Sequence, residues 1–470
     1  MPAPVNLALT GDQHDHLHQF LYPGDGFEAV SFVLCGRRDG DRRFRLAARE
    51  VHDVPYEDCE IRTPSMVKWS PDTIDHILER AANEGLSVIK VHSHPNGYGA
   101  FSERDDQSDA QLLPMIKGWV EGDFVHGSAV MLPDGQMFGR VLIGEELVSI
   151  DCISVAGDDL HYWYADAGSA SIPDFTASHA QAFDEGTIER LQRLSAAVIG
   201  ASGTGSPTVE QLARLGFGEI ISVDDDHMED RNVNRIINST MADAKDERPK
   251  VDVLSDAVKR IGLGTKVLPL EKNLWHPDVV HAVAQCDVVF GCVDSIDGRY
   301  LLNSIATYYN IPYFDVGIRL VADPVGETKG RIREVCGTVN YIQPGRSSLM
   351  SRGLFSMKDV AAAGLARNDP AAYGRQVKDG YIRGVQGNRP AVISVNMFGS
   401  SLVVNEFLAR LQPFREDRNA EYSEVVFSLA SMELFYEPEE GVCPILSPHV
   451  GAGDVTPLLR LIELAQRSRK

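Results

Sequence analysis

The stretch Ser195-Ala-Ala-Val-Ile-Gly200-Ala-Ser-Gly203-Thr-Gly205 decides the fold of the larger part of this chain. A short apolar run enters a loop holding three glycines, and Pro207 to Leu215 then carries a helical pattern that Gly216 and Gly218 end. Glu219-Ile-Ile-Ser-Val-Asp224 reads as the next strand, closing with a carboxylate 19 residues after Gly205. Strand, glycine loop, helix and strand make a βαβ crossover, which implies a parallel sheet with helices on its faces. Glycines there let phosphate approach a helix N-terminus, and an acid after the second strand suits ribose hydroxyls. Taken strictly the loop reads GxxGxG, because Ser202 stands where the dinucleotide fingerprint has its second glycine. No lysine follows the glycines, so the loop is not a P-loop. By itself it is compatible with ATP, with NAD or flavin, or with a tight turn that binds nothing.

The residues downstream discriminate. Asn232 and Arg235 follow Asp224, and Lys250 opens an amphipathic helix running through Arg260. A later apolar run, Asp287-Val-Val-Phe-Gly-Cys292, delivers Asp294 at the end where α/β sheets bind ligands. A triphosphate needs cations and a carboxylate for magnesium, whereas a hydride cofactor needs neither. Each of these residues alone has the plainer reading of a solvated surface charge.

Upstream, the polar stretch 157–185 is poor in aliphatic residues and reads as a linker, leaving domains at 1–156 and 186–470. The first contains a second chemical signature, His92-Ser93-His94-Pro95 followed by Ser102 and Asp105. Two imidazoles and a carboxylate suit zinc and leave a fourth tetrahedral position for water. Leu86 to Val91 reads as a strand, so His92 and His94 project from its end on the same face. The plainer reading is a polar loop with two satisfied histidines. Further strands are expected near 29–34, 44–51, 128–132 and 138–143, with helices at 71–83 and 106–117.

The pattern around His92 resembles the JAMM motif of JAB/MPN metallopeptidases, which implies a cytidine-deaminase-like α/β fold. In that family an upstream glutamate serves as general base, usually opening a hydrophobic strand. Glu28, ahead of Ala29-Val-Ser-Phe-Val-Leu-Cys-Gly36, fits best, with Glu50, Glu57 and Glu60 as competitors. The resemblance casts Glu28 and Ser102 as catalytic, the serine steadying the oxyanion, and His92, His94 and Asp105 as zinc ligands. The long separation from Glu28 to His92 implies an inserted loop within 53–70.

The second half, from about 186 to 435, resembles the ThiF/MoeB-type adenylating family that activates ubiquitin-like proteins. That implies a Rossmann-like adenylation domain with Gly200, Gly203, Gly205, Asp224, Asn232, Arg235, Lys250 and Asp294 binding ATP, and Asp294 organising Mg2+. The family's zinc-binding CxxC pairs are absent from this sequence, so no structural zinc is expected there. Residues 348–390, where thioester-forming relatives carry a cysteine, contain none; Cys336 and Cys443 remain, and no thioester cysteine is assigned. The arginine that relatives lend to a partner protomer is not evident: Ser178-His179 occupies its place, with Arg190 and Arg193 as substitutes.

Together the resemblances imply a bifunctional enzyme of a bacterial ubiquitin-like system. A zinc peptidase would trim or remove a β-grasp modifier, and an adenylation domain, dimeric as in relatives, would activate the modifier's C-terminal glycine. A separate ubiquitin-conjugating-like enzyme could then receive the tail. The rival reading is sulfur-carrier activation, where sulfide or a persulfide attacks the adenylate to give a thiocarboxylate. A scaffold that binds without turnover is the non-enzymatic alternative.

Composition bounds these readings. A chain of 470 residues exceeds one ordinary core. A net charge of −22 disfavours nucleic acid and anionic membranes, and no apolar run reaches spanning length. Seven scattered cysteines and no signal-peptide pattern lead to the expectation of reduced thiols in a cytoplasm.

Overall fold

The computed structural model describes residues 3–166, 181, 183–323, 328–378 and 391–465, which form two compact α/β units. The first is built on a nine-stranded sheet. Its strand order is Leu160–Tyr164, Cys152–Ala156, Val5–Thr10, Phe44–Asp53, Val30–Asp39, Ser87–Ser93, His126–Met131, Met137–Ile143 and Glu146–Ser149. Ser87–Ser93 is buried at every position, as a central strand covered on both faces must be. Alternation sends Val33 and Cys35 into one apolar cluster and Phe32 and Leu34 into the other. Helix Asp75–Glu84 inserts Ile77, Leu78 and Ala81 into the second cluster and ends at Gly85, whose φ of 66° suits a residue without Cβ.

Every strand and helix expected within 29–143 is present. Between Phe44–Asp53 and the helical stretch at 71 lie a 3-10 turn, Tyr56–Asp58, and a hairpin, Cys59–Thr63 with Met66–Trp69. Two features differ from the sequence expectation. The stretch 157–185 begins with strand Leu160–Tyr164, antiparallel to Cys152–Ala156, because Leu160 and Tyr162 alternate with exposed or half-buried neighbours. Residues 448–465 group with the first unit, not with the second half to which their position assigned them. There backbone meets backbone, the Gly36 amide donating to the Gly451 carbonyl (3.1 Å) so closely that a Cβ on Gly36 would lie 2.3 Å from that oxygen, and Arg38 pairs with Asp454 (2.8 Å).

The second unit carries an eight-stranded sheet in the order Lys266–Leu270, Glu219–Val223, Ser195–Ile199, Val288–Gly291, Tyr313–Ala322, Ile332–Ile342, Glu424–Ser428 and Glu433–Glu437. The first five are parallel and the last three antiparallel. Strand Ser195–Ile199 lies between Glu219–Val223 and Val288–Gly291, so the strand order reverses there and opens a crevice at the carboxyl ends. Helix Gly205–Leu215 leaves the glycine loop, and helix Lys250–Ile261 lies near the edge strand. Helix Ile393–Leu411 buries Phe407 among Phe217, Phe290 and Phe314. Among the described residues, no helix is long and apolar enough to cross a membrane. All seven cysteines are free.

Candidate active sites

In the first unit, His92 is the penultimate residue of strand Ser87–Ser93, and its parallel neighbour His126–Met131 fixes the following turn, where the His94 amide donates to the Met131 carbonyl (3.2 Å). Asp105 comes from the first turn of helix Glu103–Trp119. Ser102 caps that helix, and both its amide and its hydroxyl donate to Asp105 Oδ2 at 2.7 Å. The capping box therefore aims the carboxylate at the histidines. His92 Nε2 stands 2.9 Å from Asp105 Oδ1 and 3.2 Å from His94 Nε2, and His94 Nε2 stands 3.4 Å from Asp105 Oδ2. One donor atom from each side chain lies within 4.8 Å of the others.

Two ring nitrogens facing each other beside a carboxylate form a donor set that fits a divalent cation. His94 Nδ1 bonds the Tyr98 carbonyl at 2.7 Å, which fixes the ring so that Nε2 faces inward. His92 Nδ1 is buried without a partner among the described residues. Burial holds His92 below its ordinary pKa, which favours the neutral, ligating form. For His94 burial also opposes charge, but hydrogen bonding to Asp105 and Tyr98 leaves its pKa raised. Burial pushes the Asp105 carboxyl upward; bonds from His92, His94 and Ser102 outweigh it and hold the acid far below the carboxylate range.

Register explains where Glu28 sits. Val30 pairs with His92 in antiparallel strands, the Ser93 amide donates to the Ala29 carbonyl (3.1 Å), and the next position outward is Glu28 beside His94. Burial raises the Glu28 carboxyl to about 7, with Asp105 adding to the rise and His94 opposing it. The competing glutamates lie elsewhere. Glu50 is ion-paired with Arg80 (2.7 Å), Glu57 is exposed in the 3-10 turn, and Glu60 pairs with Lys68 (2.6 Å) on the hairpin. Tyr22, which the sequence did not mark, donates its hydroxyl to the same Met131 carbonyl that receives the His94 amide. No spacing rule would have found it.

In the second unit the glycine loop is required by sterics. Gly200 has φ 94°, and a Cβ there would meet the Cys292 carbonyl at 2.6 Å; on Gly205 it would meet the Gly200 carbonyl at 1.7 Å. The Ala201 amide donates to Asp224 Oδ2 (2.7 Å), tying the loop to the end of strand Glu219–Val223. Burial raises the Asp224 carboxyl, against the pull of Lys250. Lys250 is itself buried, 2.6 Å from Asp226 and 3.9 Å from Asp224. Asn232 is buried, its Oδ1 accepting from the Glu229 amide (3.0 Å), and Arg235 reaches back to the Arg231 carbonyl (2.6 Å) with its Cδ near Gly203. Asp294 is exposed between strand Val288–Gly291 and helix Ile296–Tyr309.

Helix Ile393–Leu411 contributes residues that sequence reasoning passed over. Ser400 donates to the Thr204 carbonyl (2.6 Å), and Asn396 approaches so closely that a Cβ on Gly203 would lie 2.2 Å from its Nδ2. Their i, i+4 spacing on an apolar helix was the available signal. Cys336 is half-buried opposite Arg319 and Ser428, and Cys443 is buried. Arg190 bonds Thr187 (2.8 Å). Ser178 and His179 lie outside the described residues.

The family model for prokaryotic homologs of the JAB domain matches residues 13–140, and the ThiF family model matches residues 176–437. The SAMP-activating enzyme E1 of Haloferax volcanii is 33% identical over 123 residues, 26% of this chain and 45% of that protein. The sulfur carrier protein ThiS adenylyltransferase of Escherichia coli is 30% identical over 115 residues, 24% and 45% of the two chains. The chain thus spans under half the length of these curated relatives. Among solved structures, E. coli MccB is similar over 62% of this chain and 75% of its own, with 15% identity and a TM-score of 0.43.

Proposed function

The chain belongs to the ThiF family, and from that premise we propose a bifunctional enzyme acting on the C-terminal tail of a ubiquitin-like, β-grasp protein. The supporting observation is that two sets of groups suited to these two chemistries occur on one chain. One is the His92, His94 and Asp105 cluster with Glu28 beside it; the other is a glycine crevice flanked by Asp224, Arg235, Lys250 and Asp294.

In the adenylation half, a carboxylate oxygen of the tail's terminal glycine attacks the α-phosphorus of ATP. The α–β bridging bond breaks, and pyrophosphate leaves. Gly200, Gly203 and Gly205 admit the phosphates, and Asp224 takes the ribose hydroxyls. Asn232 holds the nucleotide, while Arg235 and Lys250 offset negative charge that grows in transit. Asp294 is the carboxylate suited to Mg2+. Positioning supplies most of the rate, because the chain contributes no covalent step here.

In the peptidase half, His92, His94 and Asp105 would hold zinc, which when bound supplies Lewis acidity and acidifies water. Glu28 takes the proton from the attacking water and returns it to the departing amine, and its half-buried place beside the ligands suits a group that must both accept and release a proton. Ser102 orients Asp105 in the resting geometry, and its hydroxyl must rotate away from that carboxylate to steady an oxyanion. Peptide or isopeptide bonds after the tail glycine are the substrates, and a homodimer is the expected assembly.

Thioester relay to a conjugating-like enzyme is the primary route for the adenylate. Sulfur-carrier activation is favoured by one observation, the lack of cysteine throughout 348–390. Intact-mass measurement of a trimmed β-grasp protein incubated with this chain, a conjugating enzyme and Mg-ATP tests both. A thiol-sensitive adduct supports relay. An adenylate that gains sulfur on adding sulfide supports the rival, and no change in mass refutes adenylation of that tail.

A further inference from the structure

Strand Glu433–Glu437 is the last in the second unit's sheet, and among the described residues it pairs on one side only, with Glu424–Ser428. All five of its residues are exposed, among them Leu434 (59%), Phe435 (51%) and Tyr436 (51%). Sheet edges are ordinarily blunted by charged side chains (lysine above all), proline, shortness or a bulge within the strand. This five-residue strand has no lysine, proline or bulge; its charges are the two terminal glutamates, and its register with its neighbour is unbroken. A row of unpaired backbone groups flanked by large apolar side chains is a template for another strand.

Charge identifies the occupant. Glu433 and Glu437 bracket the apolar residues, and Glu437 stands directly across from Glu424. Like charges in that relation destabilise a hairpin. The Glu424 carboxyl is pushed up, by burial first and by Glu437 in addition, while Arg352 opposes the rise. Suppose the same edge of a second copy paired antiparallel about Phe435. Glu433 would then face Glu437 at both ends, carboxylate against carboxylate. The edge therefore selects against its own copy and for cations. We propose that Glu433–Glu437 is a docking edge for an extended segment of a separate basic protein. That segment adds as a further strand, with lysine or arginine opposite Glu433 and Glu437 and apolar residues between them.

The test uses the full chain and a fluorescent peptide with a Lys-Val-Tyr-Val-Lys core in glycine-serine flanks, compared with its Glu-Val-Tyr-Val-Glu counterpart. Anisotropy should show saturable binding of the basic peptide, with amide exchange slowed across Glu433–Glu437. The Glu433→Lys/Glu437→Lys variant should lose roughly tenfold in affinity for the basic peptide, as two cross-strand pairs turn from attraction to repulsion. It should gain binding of the acidic peptide. The milder Glu433→Gln/Glu437→Gln variant, which leaves the hairpin's packing unchanged, should weaken the basic peptide without the gain. Equal binding of both peptides to the unaltered chain, no saturable binding, or exchange slowed elsewhere would overturn the proposal. So would a charge reversal that changes the oligomeric state while sparing peptide binding, because a second copy would then hold the edge.

Discussion

Replacing Glu28 by glutamine should stabilise the chelated, metal-free protein above neutral pH while removing cleavage by the zinc-loaded one. Burial raises this carboxyl from its ordinary 4.5 to about 7. Between those values the folded chain holds a proton that the unfolded chain has released, so folding stability falls as pH rises through that window. At about 1.4 kcal/mol per pH unit the full shift corresponds to roughly 3 kcal/mol. Glu28 keeps part of its surface in solvent, and screening reduces this to roughly 1–2 kcal/mol. Glutamine has the same shape and no charge to desolvate. Amide exchange in Val30–Asp39 and Ser87–Ser93 reads the opening free energy of the strands that carry the site. The expected pattern is no difference between variant and parent at pH 4.5, a widening gap up to about pH 7, and a constant gain above it. A variant equal to or weaker than the parent at pH 8, or a gain that persists at pH 4.5, would refute the argument.

Asp105→Asn should leave the protein substoichiometric in zinc by elemental analysis, because one carboxylate serves both histidines. Gly205→Ala should abolish nucleotide binding, measured with a fluorescent ATP analogue, since its Cβ would lie 1.7 Å from the Gly200 carbonyl; cleavage by the first unit should persist. Ser400→Ala removes the donor to the Thr204 carbonyl, at a cost of roughly 1 kcal/mol, and should raise KM for ATP more than it lowers kcat.

Local chemistry was legible in the sequence wherever spacing carries geometry. The alternation of a strand put His92 and His94 on one face, and the helical pattern expected over 106–117 lies within helix Glu103–Trp119, whose capping box of Ser102 and Asp105 the sequence reading did not mark. The glycine loop and Asp224 gave away the βαβ crossover because few other residues tolerate the backbone approach at Gly200 and Gly205. Picking among four glutamates was a different matter. It needed the register that sets Val30 against His92, which is a long-range fact. Residues 448–465 were illegible for a related reason: Gly451 and Gly453 meet Gly36 and Arg37 largely through backbone atoms, which leave no apolar period. Asn396 and Ser400 lie far along the chain from the loop they touch, so only their helical spacing hinted at them.

The central claim is that both sites serve one tail, and a coupled assay tests it most directly. A β-grasp protein whose glycine is masked by a short C-terminal extension is supplied with Mg-ATP, and ATP–pyrophosphate exchange is followed. Exchange with the extended protein is expected only when Glu28 is intact, and exchange with the trimmed protein in the parent and Glu28→Gln alike. Exchange from the extended protein in Glu28→Gln, or none from the trimmed protein in the parent, would contradict the claim.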